Sequence, residues 1–512
     1  MAYLLGVDIG TSGTKTVLFD LRGNTIASAT VEYPMYQPHN GWAEQDPGDW
    51  WQAAYQTIAQ VISQSGVRAG DIKGMGLSGQ MHGMVLLDRD DAVLRPSIIW
   101  CDQRTGRECE QITETIGAKR LIEITANPAL TGFTAGKVMW VKNHQPEIFE
   151  KIHKILLPKD YVRFMLTGEY ATEVSDASGM QFLDVPKREW SREVVSKLGL
   201  EYDWLPDVYE SYEISGRLTK EAAKLTGLPE GLPVAGGAGD QAAGGVGNGI
   251  VRPGILSSTI GTSGVVFAHL DEISIDPGGR TQTFCHAVPG CWHVMGVTQS
   301  AGFSYRWIRD EMCAVEMVMA KRLGVDPYVL MGQQAEQIAP GSQGLIYLPY
   351  LMGERAPHLD SDARGVFFGL SAAHDRRHMI RAVMEGVSYS LLDCINIIRD
   401  MGVTATEVRA SGGGGRSELW RQMQADMFET DICTINSTEG GALGVALLAG
   451  VGVGEYASVP EACDASIQKV TTQKPIDENA EIYRRYYKIY RQLYPALKPS
   501  YKDVAAILNE QS

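Results

Sequence analysis

The sequence predicts an α/β protein built from two similar lobes, and three observations lead to this prediction. The chain has 512 residues, more than one hydrophobic core usually holds, so two or more domains are expected. The pentapeptide Ile-Gly-Thr-Ser-Gly at residues 9–13 recurs at residues 260–264, about half a chain later. Strand-like apolar runs also alternate with helical patterns, as they do where helices cover a sheet.

Both copies of the pentapeptide lie between β-prone runs, so each is predicted to be the turn of a β-hairpin. Residues 3–7 precede the first copy, and residues 255–259 precede the second. A turn of Gly, Thr and Ser has free N–H groups and hydroxyls, and without bulky side chains it admits a phosphate closely. One copy alone would be an ordinary glycine-rich hairpin. Two copies at matching positions indicate two turns that hold one polyphosphate.

Other segments fit the same alternation of strands and helices. Asp46-Pro47 marks a helix start, residues 52–62 carry apolar side chains at helical spacing, and residues 72–77 form a strand-like run. Residues 410–420 predict a strand, a glycine run and a helix in that order. The tyrosine-rich segment 481–508 predicts a final helix that packs back on one of the lobes.

A glycine-rich stretch, residues 236–249, is the predicted boundary between the lobes. Arg252-Pro253 follows it and precedes the second hairpin. The predicted division is therefore residues 1–249 for the first lobe and residues 250–512 for the second.

Composition and charge exclude several classes of protein. The formal net charge is -15 and the pI is near 5.2, so no basic surface favours a nucleic acid or an anionic membrane. The longest weakly polar run, residues 442–454, is shorter than the ~20 residues of a membrane span. The first residues lack the basic start of a signal peptide. A cytoplasmic protein with a small-molecule partner is expected.

The eight cysteines form no CxxC pair, which suits a reducing compartment. Cys285, His286, Cys291 and His293 are all of residue types that bind zinc. However, Pro289-Gly290 between two β-prone runs predicts a hairpin, and strand alternation sends Cys285 and His286 to opposite faces. Structural roles are therefore favoured over a zinc site formed by these four residues.

Two aspartates are candidates for catalysis and for metal binding. Asp8 ends an apolar strand just before the first turn, where its carboxylate could hold Mg²⁺ beside a phosphate. Asp240 lies among small residues that would let a substrate approach a general base. The alternative for both is an Asp that bonds its own turn. Phosphoryl transfer needs a metal ion, hydrogen-bond donors that hold the phosphates, and a base. The two aspartates would bind the metal ion and act as the base.

Two polar clusters, at residues 78–83 and 100–104, follow strand-like runs. The strand ends of α/β sheets are where ligands bind. Amide, imidazole, carboxylate and guanidinium groups mixed with Met and Trp suit a sugar, which offers both hydroxyls and C–H faces. The candidates for substrate binding are Met81, His82, Trp100, Asp102, Arg104, Asp240 and Gln241.

The candidates for nucleotide binding come from the two turns and from the glycine run near residue 413. A glycine floor lets a flat base lie against the backbone, and a merely flexible loop is the alternative. These candidates are Gly10, Thr11, Ser12, Gly13, Lys15, Gly261, Thr262, Ser263, Gly413, Gly414 and Ser417.

Nearly the whole sequence resembles the FGGY family of carbohydrate kinases and, within it, the xylulokinases. One family signature corresponds to residues 132–144, and another to residues 365–385. Three further segments are similar to xylulokinase segments: residues 80–83, 157–161 and 353–358.

The resemblance implies a two-lobed, actin-like fold of the ribonuclease H-like type, with ATP in the cleft and sugar bound mainly by the first lobe. It implies that Mg²⁺ is required and that the chain forms a homodimer. It also implies that Asp240 takes the proton from the 5-hydroxyl of D-xylulose, while Met81 and His82 bind the sugar. Asp8 would act near the metal and the phosphates.

Gln241 departs from the xylulokinase pattern, in which Asn follows the catalytic Asp. Glycerol kinases carry Gln at this position. The longer amide reaches one methylene further into the pocket, so ribulose, glycerol or another polyol stays open as the substrate. A non-kinase ATPase switch on the same fold is a more distant alternative.

Overall fold

The computed structural model describes residues 2–511, and each half of the chain contributes one seven-stranded mixed sheet. The strands of the first half are β1 (Tyr3–Ile9), β2 (Gly13–Asp20), β3 (Thr25–Glu32), β4 (Glu44–Gln45), β5 (Ile72–Gly79), β6 (Val85–Leu87), β7 (Ser97–Ile98), β8 (Lys154–Leu156), β9 (Ala171–Glu173), β10 (Leu183–Asp184), β11 (Glu189–Trp190), β12 (Asp207–Tyr209), β13 (Ile214–Arg217), β14 (Pro233–Ala235) and β15 (Ala238–Gly239). Those of the second half are β16 (Ile255–Ile260), β17 (Gly264–Leu270), β18 (Gln282–Cys285), β19 (Trp292–Thr298), β20 (Ile346–Leu348), β21 (Val366–Phe368), β22 (Glu407–Gly412), β23 (Asp431–Ile435) and β24 (Lys469–Gln473).

Helices surround both sheets. In the first half they are α1 (Pro47–Ser65), α2 (Gly106–Ile116), α3 (Ala118–Thr125), α4 (Thr134–His144), α5 (Pro146–Phe149), α6 (Pro158–Thr167), α7 (Val174–Ala177), α8 (Arg192–Lys197), α9 (Lys220–Thr226) and α10 (Asp240–Gly247). In the second half they are α11 (Gly302–Met312), α12 (Ala314–Leu323), α13 (Pro327–Glu336), α14 (Arg376–Asp400), α15 (Glu418–Phe428), α16 (Gly440–Gly452), α17 (Val459–Ser466) and α18 (Asp477–Gln511). Within the described residues, no helix is both long and apolar enough to cross a membrane.

The two sheets repeat the same strand pattern, which confirms the duplication predicted from the repeated pentapeptide. The first sheet has the order β13-β14-β5-β1-β2-β3, with β15 as its seventh strand paired to β5, and the second has the order β24-β23-β22-β16-β17-β19-β18. In both, the hairpin that holds the pentapeptide turn is antiparallel, and its first strand runs parallel to an inner neighbour. The predicted α/β class and two-lobed, actin-like arrangement are confirmed.

Two glycine-rich helices, α10 and α16, cross between the sheets. A Cβ on Gly247 of α10 would lie 1.8 Å from the carbonyl oxygen of Gly440 in α16, so only glycine permits this approach. The other face of α16 lies on the first sheet, where a Cβ on Gly6 of β1 would lie 2.0 Å from the Ala442 carbonyl oxygen. The predicted boundary stretch is thus a helix packed between the lobes.

Helix α18 packs on the second half of the chain, which is one of the two lobes that the sequence left open for it. Tyr483 and Tyr490 are buried in the second-half core. Arg381 of α14 donates a hydrogen bond of 2.8 Å to the Tyr483 hydroxyl, and the Tyr487 hydroxyl donates one of 2.5 Å to Asp393. Tyrosines at helical spacing therefore fix α18 along α14.

Candidate active site

A cavity of about 530 Å³ lies between the two halves of the chain. Its walls come from the first turns of α10, the strands β16 and β17, the glycine run after β22, and the start of α16. Lining side chains that the sequence did not single out are Asn248, Thr259, Phe267, Arg416, Arg421, Thr434, Ser437 and Thr438. The volume and the mixed polar lining suit a nucleotide.

The glycine run forms one floor of this cavity. Gly412 has a φ of +74°, and a Cβ there would lie 2.5 Å from the Ile260 carbonyl oxygen. A Cβ on Gly414 would lie 2.6 Å from the Ile260 side chain, whereas one on Gly413 would meet nothing closer than 4.0 Å. The run therefore lies flat on β16 and leaves space above Gly413 for a planar group. Ser417 instead caps α15 by accepting a bond from the Trp420 N–H.

Side chains from three other segments donate hydrogen bonds to two carbonyl groups and one hydroxyl of the first pentapeptide turn. The Tyr33 hydroxyl donates to the Gly10 carbonyl at 2.5 Å, and Gln45 Nε2 donates to the Thr11 carbonyl at 2.7 Å. Trp100 Nε1 donates to the Thr11 hydroxyl at 2.9 Å. Trp100, predicted to bind substrate, is therefore a neighbour of the turn.

The tip of the same turn is accessible. Ser12 is exposed, and the Gly10 N–H donates to the Gly13 carbonyl at 3.0 Å to close the turn. Lys15, two residues further along β2, forms an ion pair with Glu439 of the second half. This ion pair joins the two halves beside the cavity.

The second pentapeptide turn lies against the start of α11. The Gly261 N–H donates to the Ser263 carbonyl at 3.0 Å, and the Gly302 and Phe303 N–H groups donate to the Gly261 and Thr262 carbonyls at 2.9 and 3.0 Å. Gly261 and Thr262 are exposed. Both turns thus have occupied carbonyls and accessible tips, the arrangement expected for phosphate contacts.

Asp8 and Asp240 are close enough for the charge of Asp8 to raise the pKa of Asp240. Asp240 is the first residue of α10 and lines the cavity. Asp8 is close to Gly441, another lining residue, because a Cβ there would lie 3.3 Å from Asp8 Oδ2. Asp8 Oδ1 is buried and has no hydrogen-bond partner among the described residues. A carboxylate oxygen in this condition fits a Mg²⁺ ion or one of its waters.

The electrostatics of the two carboxylates suit proton transfer near neutral pH. Burial, and then the charge of Asp8, raise the pKa of Asp240 to about 7. Burial also raises the pKa of Asp8 above its usual value. A general base works best when its pKa lies near the working pH, so Asp240 meets that requirement.

Met81 and His82 do not line the nucleotide cavity, but Met81 lies against the residue that precedes Asp240. A Cβ on Gly239, the residue before Asp240, would lie 2.9 Å from Met81 Cγ. His82 has a φ of +69°, and its Nδ1 lies 3.0 Å from the Gly179 carbonyl oxygen. Burial, and then the charge of Lys137, lower the pKa of His82 to about 3. The neutral ring donates through Nδ1, so Nε2 is left to accept a bond from a hydroxyl.

The first signature segment holds the His82 backbone. Lys137 Nζ, which is fully buried, donates to the His82 carbonyl at 2.6 Å and to the Gly132 carbonyl at 2.7 Å. The Thr134 hydroxyl donates to the His82 carbonyl at 3.1 Å. The signature residues therefore position a pocket residue. Sequence reasoning noted this signature but assigned it no role.

Aromatic side chains from both halves of the chain pack around His82. The rings of His82 and Phe133 have centroids 4.6 Å apart, and Phe284 of the second half lies 6.2 Å from His82. Arg355 of the second half also lies close enough to His82 for its charge to lower the pKa of the imidazole. Sequence reasoning noted the segments that contain Phe133 and Arg355 without giving these residues a role, and it missed Phe284, since nothing in its local sequence links it to residue 82.

Asp102 and Arg104 are buried in a network of their own rather than free in the pocket. Arg104 makes a bidentate pair with Asp102, with bonds of 2.9 and 2.7 Å, and its guanidinium lies 3.6 Å from the centre of the Trp42 ring. Arg104 also donates to Glu44 at 2.7 Å. The preceding strand β7 belongs to a two-stranded sheet with β4. The cluster therefore follows a strand, as predicted, but this strand lies outside the seven-stranded sheet of the first half.

Known proteins are similar to this chain over nearly its whole length. The model of the FGGY family of carbohydrate kinases, N-terminal domain, matches residues 3–247, and the C-terminal domain model matches residues 256–453. The xylulose kinase of Bacillus subtilis is 39% identical over 97% of this chain and 98% of that protein. The gluconokinase of the same organism is 33% identical over 98% of each chain. The crystal structure of xylulose kinase from Rhodospirillum rubrum superposes with a TM-score of 0.89 at 30% identity and covers 98% of this chain and 100% of that chain.

Proposed function

The chain belongs to the FGGY family of carbohydrate kinases, and from this premise we propose that it transfers the γ-phosphate of ATP to the 5-hydroxyl of D-xylulose. An ATP-dependent sugar kinase follows from the family. The choice of sugar is the proposed step, and the similarity to xylulose kinases supports it. The observation that carries the proposal is Asp240, which lines the nucleotide-sized cavity and directly follows Gly239, whose backbone packs against Met81.

We propose the following roles for the side chains of this chain. His82 Nε2 accepts a hydrogen bond from a sugar hydroxyl, and Met81 packs against the sugar's C–H face. Asp240 accepts the proton of the attacking hydroxyl as its oxygen approaches the γ-phosphorus. The two pentapeptide turns hold the phosphates, and the wall of the pocket excludes water, which would otherwise compete for the phosphoryl group.

A magnesium ion fits beside these groups. Asp8, with one unpartnered oxygen, and Asp240 would hold it directly or through water. When bound, the ion supplies positive charge that neutralises the phosphates. Without such a cation, two carboxylates next to a phosphate-binding turn would repel the nucleotide.

The proposed division of labour assigns the sugar to residues 1–249 and the nucleotide to residues 250–512. Met81, His82 and Asp240 all come from the first part. Most of the cavity lining comes from the second part. A homodimer and a cytoplasmic location are likewise proposed from the family resemblance, and sedimentation analysis would test the first of them.

The second candidate substrate is D-gluconate, and Arg355 favours it. This guanidinium lies near His82, and among the described residues it donates no hydrogen bond. A cation at a sugar pocket would stabilise the carboxylate of an aldonic acid. The similarity to a gluconokinase points in the same direction.

The decisive experiment measures ADP release from Mg·ATP with each candidate acceptor in turn. The acceptors are D-xylulose, D-ribulose, L-ribulose, L-xylulose, glycerol, xylitol and D-gluconate. We expect selective stimulation by D-xylulose. If the wild type prefers D-gluconate, and Arg355→Gln lowers D-gluconate turnover but leaves glycerol turnover unchanged, then D-gluconate replaces D-xylulose as the proposed substrate. Gln241→Asn serves as the matched pocket variant, because it shortens an amide without changing charge.

A further inference from the structure

Three metal-ligand side chains meet at the far end of the second sheet. His269 and Asp271 lie at the end of β17, and Cys291 directly precedes β19. One donor atom of each lies within 4.8 Å of the other two. Strand β17 starts at the second pentapeptide turn, so at ~3.3 Å per residue these side chains are roughly 16 to 23 Å from it. The proposed kinase reaction uses none of them.

The antiparallel register of β17 and β19 brings the three residues together. His269 pairs with His293 and Leu270 pairs with Trp292. If the register continues, Asp271 lies opposite Cys291. Side chains two apart on a strand share a face. His269, Asp271 and Cys291 therefore project from the same face at the end of the ladder.

We propose that His269, Asp271 and Cys291 bind a divalent transition-metal ion of the Zn²⁺ type. Imidazole nitrogen, carboxylate oxygen and thiolate sulfur are the ligands zinc uses, and the sulfur favours it over Mg²⁺ or Ca²⁺. His269 Nε2 lies 2.9 Å from Asp271 Oδ1. Two donors on one tetrahedral zinc would be about 3.3 Å apart, so a small movement admits the ion. Water would complete the fourth position.

The surroundings allow the ion to enter and balance its charge. The Asp271 side chain is 63% exposed and that of His269 only 1%, so the site opens toward solvent on one side. Binding moves the imidazole proton from Nε2 to Nδ1 and removes the thiol proton of Cys291, which is released to solvent. Arg188 donates to the Cys291 carbonyl at 2.7 Å, and its charge is already paired with Glu210.

This trio differs from the four residues that the sequence suggests as zinc ligands, namely Cys285, His286, Cys291 and His293. Both ring nitrogens of His286 are engaged, since Nε2 lies 3.0 Å from the Ile250 carbonyl oxygen and Nδ1 accepts from the Val288 N–H at 3.1 Å. Cys285 Sγ donates to the Val185 carbonyl at 3.5 Å. Cys285 and His286 therefore already make hydrogen bonds to other groups. His269 and Asp271 come from a strand about 20 residues earlier in the chain.

The test is a zinc titration of the full-length, metal-stripped protein in competition with a chromophoric chelator. We expect one tightly bound Zn²⁺ per chain, with affinity at least about tenfold weaker in Asp271→Asn and in Cys291→Ser. Asp90→Asn and Cys101→Ser, which alter the same residue types elsewhere, should bind as the wild type does. Asp271 is mostly exposed, so Asp271→Asn should fold normally, and its near-UV circular dichroism would check this.

Cobalt provides an independent readout. Co²⁺ at this site should show a thiolate charge-transfer band that Cys291→Ser abolishes and Cys101→Ser retains. The proposal is overturned if the wild type binds no stoichiometric Zn²⁺. It is equally overturned if Asp271→Asn and Asp90→Asn bind zinc with the same affinity, because the ion would then lie elsewhere.

Discussion

A carboxylate can take a proton from a sugar hydroxyl only if it is ionised at the working pH and yet basic enough to hold the proton. Asp240 meets both conditions through burial and the neighbouring charge of Asp8, which raise its pKa to about 7. We expect Asp240→Asn to lower turnover by ~10²-fold or more, since general-base catalysis contributes on that scale. ATP and sugar binding, measured by calorimetry, should change little. Turnover within a few-fold of wild type would rule out the assignment.

The pH dependence of the reaction follows from the same pKa. Below about 7 the Asp240 carboxyl is increasingly protonated and cannot accept a second proton. We therefore expect kcat/KM for the sugar to rise with pH and then level off at saturating Mg·ATP, with a midpoint at or below about 7 because a Mg²⁺ ion beside the carboxylate lowers its pKa. The measurement is steady-state kinetics across the accessible pH range. A profile that keeps the same midpoint in Asp240→Asn would contradict the proposed base.

The His82 ring depends on a glycine 97 residues away in the chain. A Cβ on Gly179 would lie 2.4 Å from His82 Nδ1, so Gly179→Ala must displace the ring. The loss of one hydrogen bond to the sugar is worth about 1 kcal/mol, and we expect the KM for sugar to rise about 3- to 10-fold. The KM for ATP should not change. Gly106→Ala is the matched control, because a Cβ there meets nothing within 4 Å.

At the residue scale, sequence reasoning found the groups whose neighbours in the chain reveal them. Asp8 and Asp240 stand beside glycine-rich turns, and the structure brings them together. Arg355 and Phe284 could not be found this way, because they reach His82 only through the packing of one half on the other. Asp102 shows that a local pattern can also mislead. Its sequence neighbours suit a sugar site, but its carboxylate accepts hydrogen bonds from Arg104.

At the scale of elements, the crossing of α10 and α16 is set by close backbone contact. A Cβ on Gly444 would lie 1.9 Å from the Ala243 carbonyl oxygen, so Gly444→Ala forces the helices apart. We expect the free energy of unfolding to fall by about 1 to 3 kcal/mol, the usual cost of overpacking. Urea denaturation followed by circular dichroism measures this.

Another helical glycine gives the control for that substitution. A Cβ on Gly332 of α13 would meet nothing within 4 Å. Gly332→Ala should therefore stabilise the protein by roughly 0.5 to 1 kcal/mol through the lower chain entropy of alanine. If Gly444→Ala and Gly332→Ala changed stability by the same amount and sign, close packing at the crossing would not be the reason for the glycines.

The elements most accurately predicted from the sequence were those fixed by local chemistry. Helix α1 begins at Pro47 because Asp46 caps it by accepting from the Gly48 N–H, and the predicted strand after it is β5. The two hairpins could be predicted from the sequences of their turns alone. The glycine stretch at 236–249 predicted a boundary but not a helix, because its role depends on α16, which is some 200 residues away.

For the whole molecule, the crossing means that the first half does not by itself cover one face of its own sheet. Helix α16 of the second half lies on β1 and β5, and a Cβ on Gly76 of β5 would lie 2.0 Å from the Val445 carbonyl oxygen. Leu4 of β1 and Leu443 and Leu447 of α16 are buried in the same apolar cluster. A fragment of residues 1–249 would leave this face of its sheet exposed to water.

We therefore expect the fragment of residues 1–249 to lack a cooperative unfolding transition, to bind a hydrophobic dye and to aggregate when expressed alone. The full-length chain should unfold in one cooperative transition, because the two halves share α10 and α16. Co-expression of residues 1–249 with residues 250–512 should restore a folded, nucleotide-binding complex, since both sides of the crossing are then present. If the fragment alone unfolded cooperatively with native near-UV circular dichroism, the first lobe would be independent of α16, and its exposed sheet face would need another cover.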